Sequence, residues 1–202
     1  MNEVSRPEDV RALYGEPSDL VQKKVLSRLD GHCQHFIRLS PFVVIASCDE
    51  TGADATPRGD APGFVAILDD RRLLIPDRRG NNRIDTLLNV ARNPQVGLLF
   101  MVPGINETLR VNGRGSIVTD TALLEPLAAQ GKVPTSGLQV AVEEAFFHCG
   151  KAMIRSRLWD PDSRVERKSF PTLGRIVADQ IAGIDAEAAD KNLEEGYRSR
   201  LY

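Results

Sequence analysis

The sequence predicts one mainly β domain, in which a barrel of antiparallel strands carries peripheral helices. Six or more short apolar stretches follow one another through hairpin-like turns, one or two helical stretches interrupt them, and both ends have helical composition. A length of 202 residues suits a single domain, and 42% hydrophobic residues can form its core. We expect a helical segment over residues 1–40, the barrel over 41–160 and a helical tail over 161–202.

Helical signals precede the barrel. Ser5 with Glu8 forms a candidate capping box, Ser18 precedes a second helical stretch, and Gly31 is a helix stop signal. Residues 5–39 are therefore predicted to be helical.

The first strands are predicted as two hairpins. FVVIASC (42–48) is an apolar run rich in β-branched residues, and a DETG turn leads from it into ADATPRGD. FVAILD (64–69) and RLLIPD (72–77) then pair around the polar residues Asp70 and Arg71.

A helix and three longer strands follow. The helix is predicted over 83–93, and the stretch 95–102 is apolar throughout, as in a strand buried on both faces. Residues 108–118 alternate between apolar and polar, and a short helical stretch, DTALLEPLAAQ, follows them. The strand over 138–149 loses its alternation at the two glutamates EE (143–144), which indicates a β-bulge or a change of surroundings.

The composition excludes several classes of partner. A net charge of −2 gives no global attraction to nucleic acid or anionic lipid, so neither is expected to bind. No apolar run is long enough to cross a membrane, and the first residues lack the apolar core of a signal peptide. Cys33, Cys48 and Cys149 are too few and scattered for a disulfide framework, which fits a reducing compartment. We therefore expect a cytoplasmic protein.

Common catalytic motifs are absent from the sequence. It contains no GxSxG, Walker A or HExxH motif, and NGRGSIV lacks the third glycine of a dinucleotide fingerprint. His32, Cys33 and His35, with His148 and Cys149, have no standard zinc spacing, so no metal site is predicted.

Cationic residues are concentrated in residues 78–83, between the strand at 72–77 and the next helix. We call this segment the arginine turn; it holds Arg78, Arg79, Asn81, Asn82 and Arg83. Guanidinium groups donate paired hydrogen bonds to phosphate, and a helix N-terminus adds free N–H groups and a positive dipole end. The segment is either a phosphate site or a solvated turn with a helix cap.

Other cations could also contact an anionic ligand. Arg58 lies between Pro57 and Gly59, late in a predicted strand. Arg110, Asn112 and Arg114 share one face of a later strand, and this face meets either solvent or an anionic or carbonyl-rich partner.

The stretch FFHCGKAMIRSRLW contains a further cationic group after a strand. Lys151, Arg155 and Trp159 recur at i, i+4 and i+8, which predicts that they share one helix face. That face is either an exposed basic stripe or a cover for an aromatic, anionic ligand.

Four stretches together resemble the pyridoxamine 5′-phosphate oxidase-related FMN-binding proteins. They are FVVIASCDETGADATPRGDAPGFVAIL, LLIPDRRGNNRIDTLLNVARNPQVGLLFMVPG, TLRVNGRGSI and FFHCGKAMIRSRLW, and the resemblance runs over residues 40–160. It implies a split β-barrel of the FMN-binding type and an obligate homodimer with two FMN molecules at its interface.

The resemblance also implies which residues bind FMN. The phosphate is expected on the arginine turn, with the flavin near Arg58 and the helix after Gly150 reaching over it from the partner subunit. The expected contacts are Arg58, Arg78, Arg79, Asn81, Asn82, Arg83, Lys151, Arg155, Ser156 and Trp159, with Pro57, Arg110 and Asn112 as further candidates.

The function implied by the resemblance is that of an FMN-dependent oxidoreductase acting on an unidentified small molecule. Its chemistry would be centred on the flavin, and NAD(P)H is a candidate electron donor. The substrate-binding C-terminal segment of the true oxidase is not recognisable over 185–202, so that specific activity is not expected. The alternatives are a flavin-binding, storage or redox-sensing protein without turnover, the same fold with deazaflavin or haem, and an interaction domain without cofactor.

Overall fold

Seven antiparallel strands form one sheet in the computed structural model, which describes residues 3–202. The strands are β1 Phe42–Asp49, β2 Gly52–Gly59, β3 Ala66–Asp69, β4 Arg72–Pro76, β5 Gln95–Met101, β6 Thr108–Val118 and β7 Gly137–His148. Their order across the sheet is β2-β1-β5-β6-β7-β4-β3. The edge strands β2 and β3, both within the described residues, do not pair with each other, so the barrel is open between them. The fold is the expected split β-barrel.

Eight α-helices within the described residues surround the strands. They are α1 Pro7–Ala12, α2 Asp19–Lys23, α3 Gly31–Leu39, α4 Asp85–Arg92, α5 Thr121–Leu124, α6 Lys151–Ser156, α7 Leu173–Gln180 and α8 Ala186–Ser199. α4 packs against β1, β6 and β2. α7 and α8 pack on each other.

The helical segment before the barrel differs from the sequence prediction. α1 starts after Arg6 without a side-chain cap, so the predicted Ser5–Glu8 capping box is wrong. Gly31 begins α3 rather than ending a helix, because the carboxylate of Asp30 accepts a hydrogen bond from the Cys33 backbone N–H at 2.8 Å.

One apolar core fills the barrel. It includes Val43 and Ile45 of β1 and Leu109 and Val111 of β6, all essentially inaccessible to solvent. Phe36 of α3 closes one side of this core and meets Phe147 edge to face, with ring centroids 5.3 Å apart. The prediction that β5 is buried on both faces is wrong, because only alternate residues are fully buried and the others are half-buried or exposed.

The predicted bulge in β7 is confirmed. Asn112 of β6 pairs with Glu144 whereas Gly113 pairs with Val142, so Glu143 is the extra residue. A Cβ atom on Gly113 would lie 2.0 Å from the carbonyl oxygen of Ala141, and this close approach requires glycine.

Both ends of the chain lie outside the barrel core. α1 and α2 bury no residue, and α7 is joined to α8 by the Gly174 N–H, which donates to Asp190 Oδ1 at 2.8 Å. The accessible surface of the chain is 13639 Å². Within residues 3–202, no helix has both the length and the apolar character needed to span a bilayer.

Candidate functional site

A cavity of about 480 Å³ lies between the edge strand β2 and the segment that connects β4 to α4. Its walls contain the whole arginine turn together with the last residues of β2. The predicted site residues that line it are Pro57, Arg58, Arg78, Arg79, Asn81, Asn82 and Arg83. The structure therefore brings two sequence-distant candidate groups together in what we call the first cavity.

The backbone of the arginine turn leads into α4 through strained conformations. Asn82 and Ile84 have φ of 61° and 50°, in the left-handed region. Asparagine tolerates this region, but a β-branched residue there is an outlier. Ile84 occupies the N-cap position of α4, where no side chain of the described residues caps the helix. The first N–H groups of α4 therefore lie at the cavity without an intrahelical partner.

Arg78 is held by protein groups. Its Nε donates to Asp60 Oδ2 at 2.7 Å and its Nη1 donates to the Leu127 carbonyl oxygen at 2.7 Å. Asp60 also accepts from the Tyr202 hydroxyl at 2.6 Å. Burial opposes ionisation of Asp60, but hydrogen bonds from Tyr202, the Ala61 amide and Arg78 hold its pKa below the ordinary value. Arg78 thus fixes the turn to distant parts of the chain.

The other arginines of the first cavity are less constrained. Arg83 Nε donates to Asp85 Oδ2 at 2.9 Å, but the Arg83 side chain is 75% exposed. Among the described residues, the Arg58 side chain donates only to the neighbouring Pro57 carbonyl oxygen, from Nη1 at 3.0 Å. Arg79 is exposed at the cavity wall and forms no ion pair with any of residues 3–202. These three guanidinium groups can turn toward an anion.

The sequence reasoning missed several polar residues of the first cavity. Thr86 is buried, and its hydroxyl donates to Thr56 Oγ1 at 3.2 Å, which joins α4 to β2. Asp77 is half-buried, and burial raises its pKa above the ordinary value although Arg58 opposes the shift. Asp77 directly precedes the arginine turn at the end of a strand. This position in the sequence could have identified it as a residue of the cavity. Thr56 begins the stretch TPRGD that contains the candidate Arg58, whereas nothing local in the sequence points to Thr86.

The predicted helix face after β7 does not form. α6 ends at Ser156 because Arg157 adopts the left-handed conformation with φ of 50°. Trp159 therefore lies beyond the helix, and its indole N–H donates to the Ile105 carbonyl oxygen at 2.9 Å. Lys151 and Arg155 remain on α6 and are exposed.

α6 and the arginine turn lie at opposite ends of β7. The turn follows Pro76, which pairs with Gly137 at the start of β7, whereas α6 follows His148 at its end. Twelve residues of strand extend over about 36 Å at about 3.3 Å per residue. None of Lys151, Arg155, Ser156 and Trp159 lines the first cavity of the same chain.

Arg110 and Asn112 lie in a different groove, on the outer face of β5 and β6. Arg110 Nε donates to Asn112 Oδ1 at 3.1 Å, and Asn112 donates to Glu144 Oε2 at 2.9 Å. The Arg110 guanidinium also lies 5.5 Å from the ring centroid of Phe146. These two candidates are therefore separate from the first cavity of the same chain.

Metal-binding side chains are not grouped in the described part of the chain. No cluster of three or more histidine, cysteine or acidic residues suited to a metal ion occurs among residues 3–202. All three cysteines are unpaired thiols, and burial raises the pKa of Cys33 to about 12.

Comparisons with known proteins found a matching family profile and similar solved structures. A family profile described as pyridoxamine 5′-phosphate oxidase matches residues 29–149. Among solved structures, HupZ of Group A Streptococcus is 20% identical over 58% of this chain and 92% of its own, with a TM-score of 0.49. A proposed pyridoxamine 5′-phosphate oxidase from Lactobacillus delbrueckii is 19% identical over 60% of this chain and 95% of its own, with a TM-score of 0.47. No curated protein matches the chain.

Proposed function

The chain belongs to the pyridoxamine 5′-phosphate oxidase family, and we propose that it is an FMN-dependent oxidoreductase acting on a small molecule. FMN would occupy the first cavity, with its phosphate on the arginine turn. When bound, FMN carries electrons one or two at a time through its isoalloxazine ring. The residues of this chain would bind and orient it, and none need serve as a nucleophile.

The observation that carries the proposal is the uncapped start of α4 inside an arginine-lined cavity. Ile84 holds a left-handed conformation that costs on the order of 1–3 kcal/mol, and such strain concentrates at ligand sites. The result is a helix N-terminus whose free N–H groups lie beside Arg79, Asn82 and Arg83. This combination of N–H groups, helix dipole and guanidinium groups suits a phosphate dianion.

The remaining residues of the first cavity fit the rest of the cofactor. A volume of about 480 Å³ lies within the about 300–1,000 Å³ typical of sites for ligands of cofactor size. Thr56 and Thr86 offer hydroxyl groups, and Arg58 offers a cation that would favour an anionic reduced flavin. Arg78 acts by fixing the turn, since Asp60 and Leu127 already occupy two of its donors.

We also propose that the functional unit is a homodimer. α6 lies about one strand length from the first cavity of its own chain. The candidate residues on and just after α6 could therefore contact FMN only in the first cavity of a second copy of the chain. They are Lys151, Arg155, Ser156 and Trp159. A compact monomer of this size should expose about 9,400 Å², whereas this chain exposes 13639 Å². The excess of roughly 4,000 Å² is ample for the obligate dimer interfaces known from other proteins.

The first experiment is a spectrum of the purified protein, followed by mass identification of the compound released by heat. Oxidised FMN, deazaflavin and haem have different visible spectra, so this measurement separates the cofactor alternatives. FMN is expected; a colourless protein that does not take up added FMN would overturn the proposal.

A second experiment tests the phosphate site directly. FMN should bind more tightly than riboflavin, and Arg79→Ala should remove most of that difference, about tenfold for one charge-assisted contact. Arg114→Ala is the matched control, because Arg114 is an exposed arginine on β6 outside the first cavity. Equal affinities for FMN and riboflavin in the unmodified protein would exclude a phosphate on the arginine turn.

Turnover distinguishes an enzyme from a flavin-storage or redox-sensing protein. The holoprotein should be reduced by NAD(P)H and reoxidised by an acceptor in steady state. If the protein binds FMN but shows no such cycle, the proposed oxidoreductase activity is wrong and the protein is a flavin-binding protein.

A further inference from the structure

The chain returns to the arginine turn after α8. This helix ends at Ser199, and two residues later Leu201 lines the first cavity. Tyr202 does not line that cavity, and its ring lies beside Arg78 of the arginine turn. We call residues 201 and 202 the 201–202 segment.

Three contacts hold Tyr202 beside the arginine turn. Its hydroxyl donates to Asp60 Oδ1 at 2.6 Å, and this hydrogen bond raises the pKa of the hydroxyl above the ordinary value, so the group stays protonated at neutral pH. The Arg78 guanidinium lies 5.7 Å from the centroid of the Tyr202 ring. Lys132 Nζ donates to the Tyr202 main-chain oxygen at 2.6 Å.

The two helices before the 201–202 segment are not hydrogen-bonded to the barrel. α7 and α8 pack on each other, and among residues 3–202 no hydrogen bond or ion pair joins either helix to a strand. The position of the 201–202 segment therefore depends chiefly on the contacts of Tyr202.

Tyr202 acts on the first cavity through Asp60 and Arg78. The Asp60 side chain is only 5% exposed. One of its oxygens accepts from the Tyr202 hydroxyl and from the Ala61 N–H, and the other accepts from Arg78, which lines the cavity. Without the Tyr202 hydroxyl, a buried carboxylate oxygen loses one of its two donors, and Asp60 holds Arg78 and the arginine turn less firmly. Tyr202 is thus a positioning residue.

Leu201 adds an apolar group to the wall of the first cavity. It lines the cavity together with Phe64 and Pro76, yet it is 58% exposed. A bound ligand would cover part of this apolar surface, which favours binding. A phosphate group gains nothing from such a contact, so Leu201 suits the isoalloxazine ring of a flavin.

We propose that the 201–202 segment belongs to the cofactor site and slows the release of FMN. Leu201 would cover the flavin ring, and Tyr202 would position the arginine turn on the phosphate through Asp60 and Arg78. The inference rests on the proposed FMN function and gives residues 201 and 202 a role that this function alone does not require.

The release rates of two flavins test the two roles separately. The protein is loaded with FMN, or with riboflavin, which lacks the phosphate, and is then diluted; the fluorescence of the free flavin gives the rate. Leu201→Ala should speed the release of both flavins about tenfold, because it removes apolar contact with the ring that they share. Tyr202→Phe should speed only the release of FMN, about three- to tenfold for one hydrogen bond, because it loosens the phosphate end and keeps the aromatic ring.

Two residues of the α7–α8 pair provide matched controls. Leu173 and Tyr197 are exposed and lie outside the first cavity, so Leu173→Ala and Tyr197→Phe should release FMN like the unmodified protein. Melting temperatures show whether all four variants are folded. Leu201→Ala leaves the contacts of Asp60 intact, so it tests the proposal even where Tyr202→Phe is less stable.

The outcomes separate the segment from the flavin function. If Leu201→Ala and Tyr202→Phe both release FMN at the unmodified rate, the role of the segment is wrong and the FMN function stands. If Tyr202→Phe speeds the release of FMN and riboflavin equally, its hydroxyl does not act on the phosphate end and the positioning role is wrong. An unmodified protein that takes up neither flavin overturns the flavin function, and this inference with it.

Discussion

At the scale of single residues, the three arginines of the arginine turn have different roles. Arg78 is 18% exposed and bonded to an almost fully buried Asp60, whereas Arg83 is 75% exposed and pairs with a neighbouring aspartate. Ion pairs removed from water are costly to break, while exposed pairs contribute little. Arg78 is therefore a structural residue of the site, and Arg79 and Arg83 are its ligand-binding candidates.

Arg78→Ala should destabilise the protein far more than Arg83→Ala. Loss of Arg78 leaves the Asp60 carboxylate buried without its ionic partner, which costs about 3–5 kcal/mol, whereas loss of the exposed Arg83 pair costs less than about 1 kcal/mol. Urea denaturation measures both free energies of unfolding. Similar values for the two variants would mean that Asp60 finds another partner.

Asp49 links stability to pH at the other end of α4. Thr51 donates two hydrogen bonds to its carboxylate and Arg92 Nη1 donates another at 2.7 Å, so these groups lower its pKa from 3.8 to about 2. A lowered folded-state pKa stabilises the fold above the unfolded pKa, and this stabilisation is lost as pH falls through the folded value.

Asp49→Asn should therefore lower the melting temperature at pH 7, and the difference from the unmodified protein should shrink between about pH 4 and pH 2. Thermal melts over this range measure the effect. Asp162→Asn is the control, because the exposed Asp162 carboxylate accepts no hydrogen bond from the described residues. If the difference in melting temperature stays constant down to pH 2, Asp49 stabilises the fold through hydrogen bonds and not through its charge.

At the scale of elements, the β6–β7 ladder sets the geometry of the molecule. It is the longest pairing in the sheet, and its bulge at Glu143 requires the backbone of Ala141 to approach Gly113. The same ladder separates the arginine turn from α6. The arginine turn and α6 of one chain therefore cannot both contact the same ligand. Sequence alternation predicted the position of the bulge but not this separation.

Gly113→Ala should destabilise the ladder by at least about 2 kcal/mol, because overpacking against backbone cannot be relieved by a side-chain rotation. Gly15→Ala is the matched control, since a Cβ atom there meets nothing within 4 Å. Chemical denaturation compares the two variants. A Gly113→Ala variant as stable as the control would show that the strands shift apart at little cost.

At the scale of the whole molecule, the segments outside the barrel have few partners within one chain. Residues of α1 and α2 bury nothing, and the exposed apolar side chains there include Leu13, Tyr14 and Leu20. Exposed apolar surface of this extent is typical of an interface.

The protein should therefore sediment with twice the mass of one chain. Deleting residues 1–25 should weaken this assembly while the barrel stays folded, because the core begins at Leu29. Sedimentation equilibrium of the full and shortened chains measures the change. A full-length chain that sediments as a monomer at micromolar concentration would contradict the homodimer.

The sequence by itself determined the strands, the bulge and the family, because these depend on local periodicity and on motifs of adjacent residues. The arginine turn, with three guanidinium groups within six residues, left two interpretations open at the level of sequence, a phosphate site or a solvated turn with a helix cap. Only the tertiary structure decided that Arg78 is bonded to Asp60 and that α6 ends before Trp159. These features depend on contacts between residues far apart in the chain, such as Asp60 and Tyr202, 142 positions apart, and no local pattern encodes which distant groups will meet.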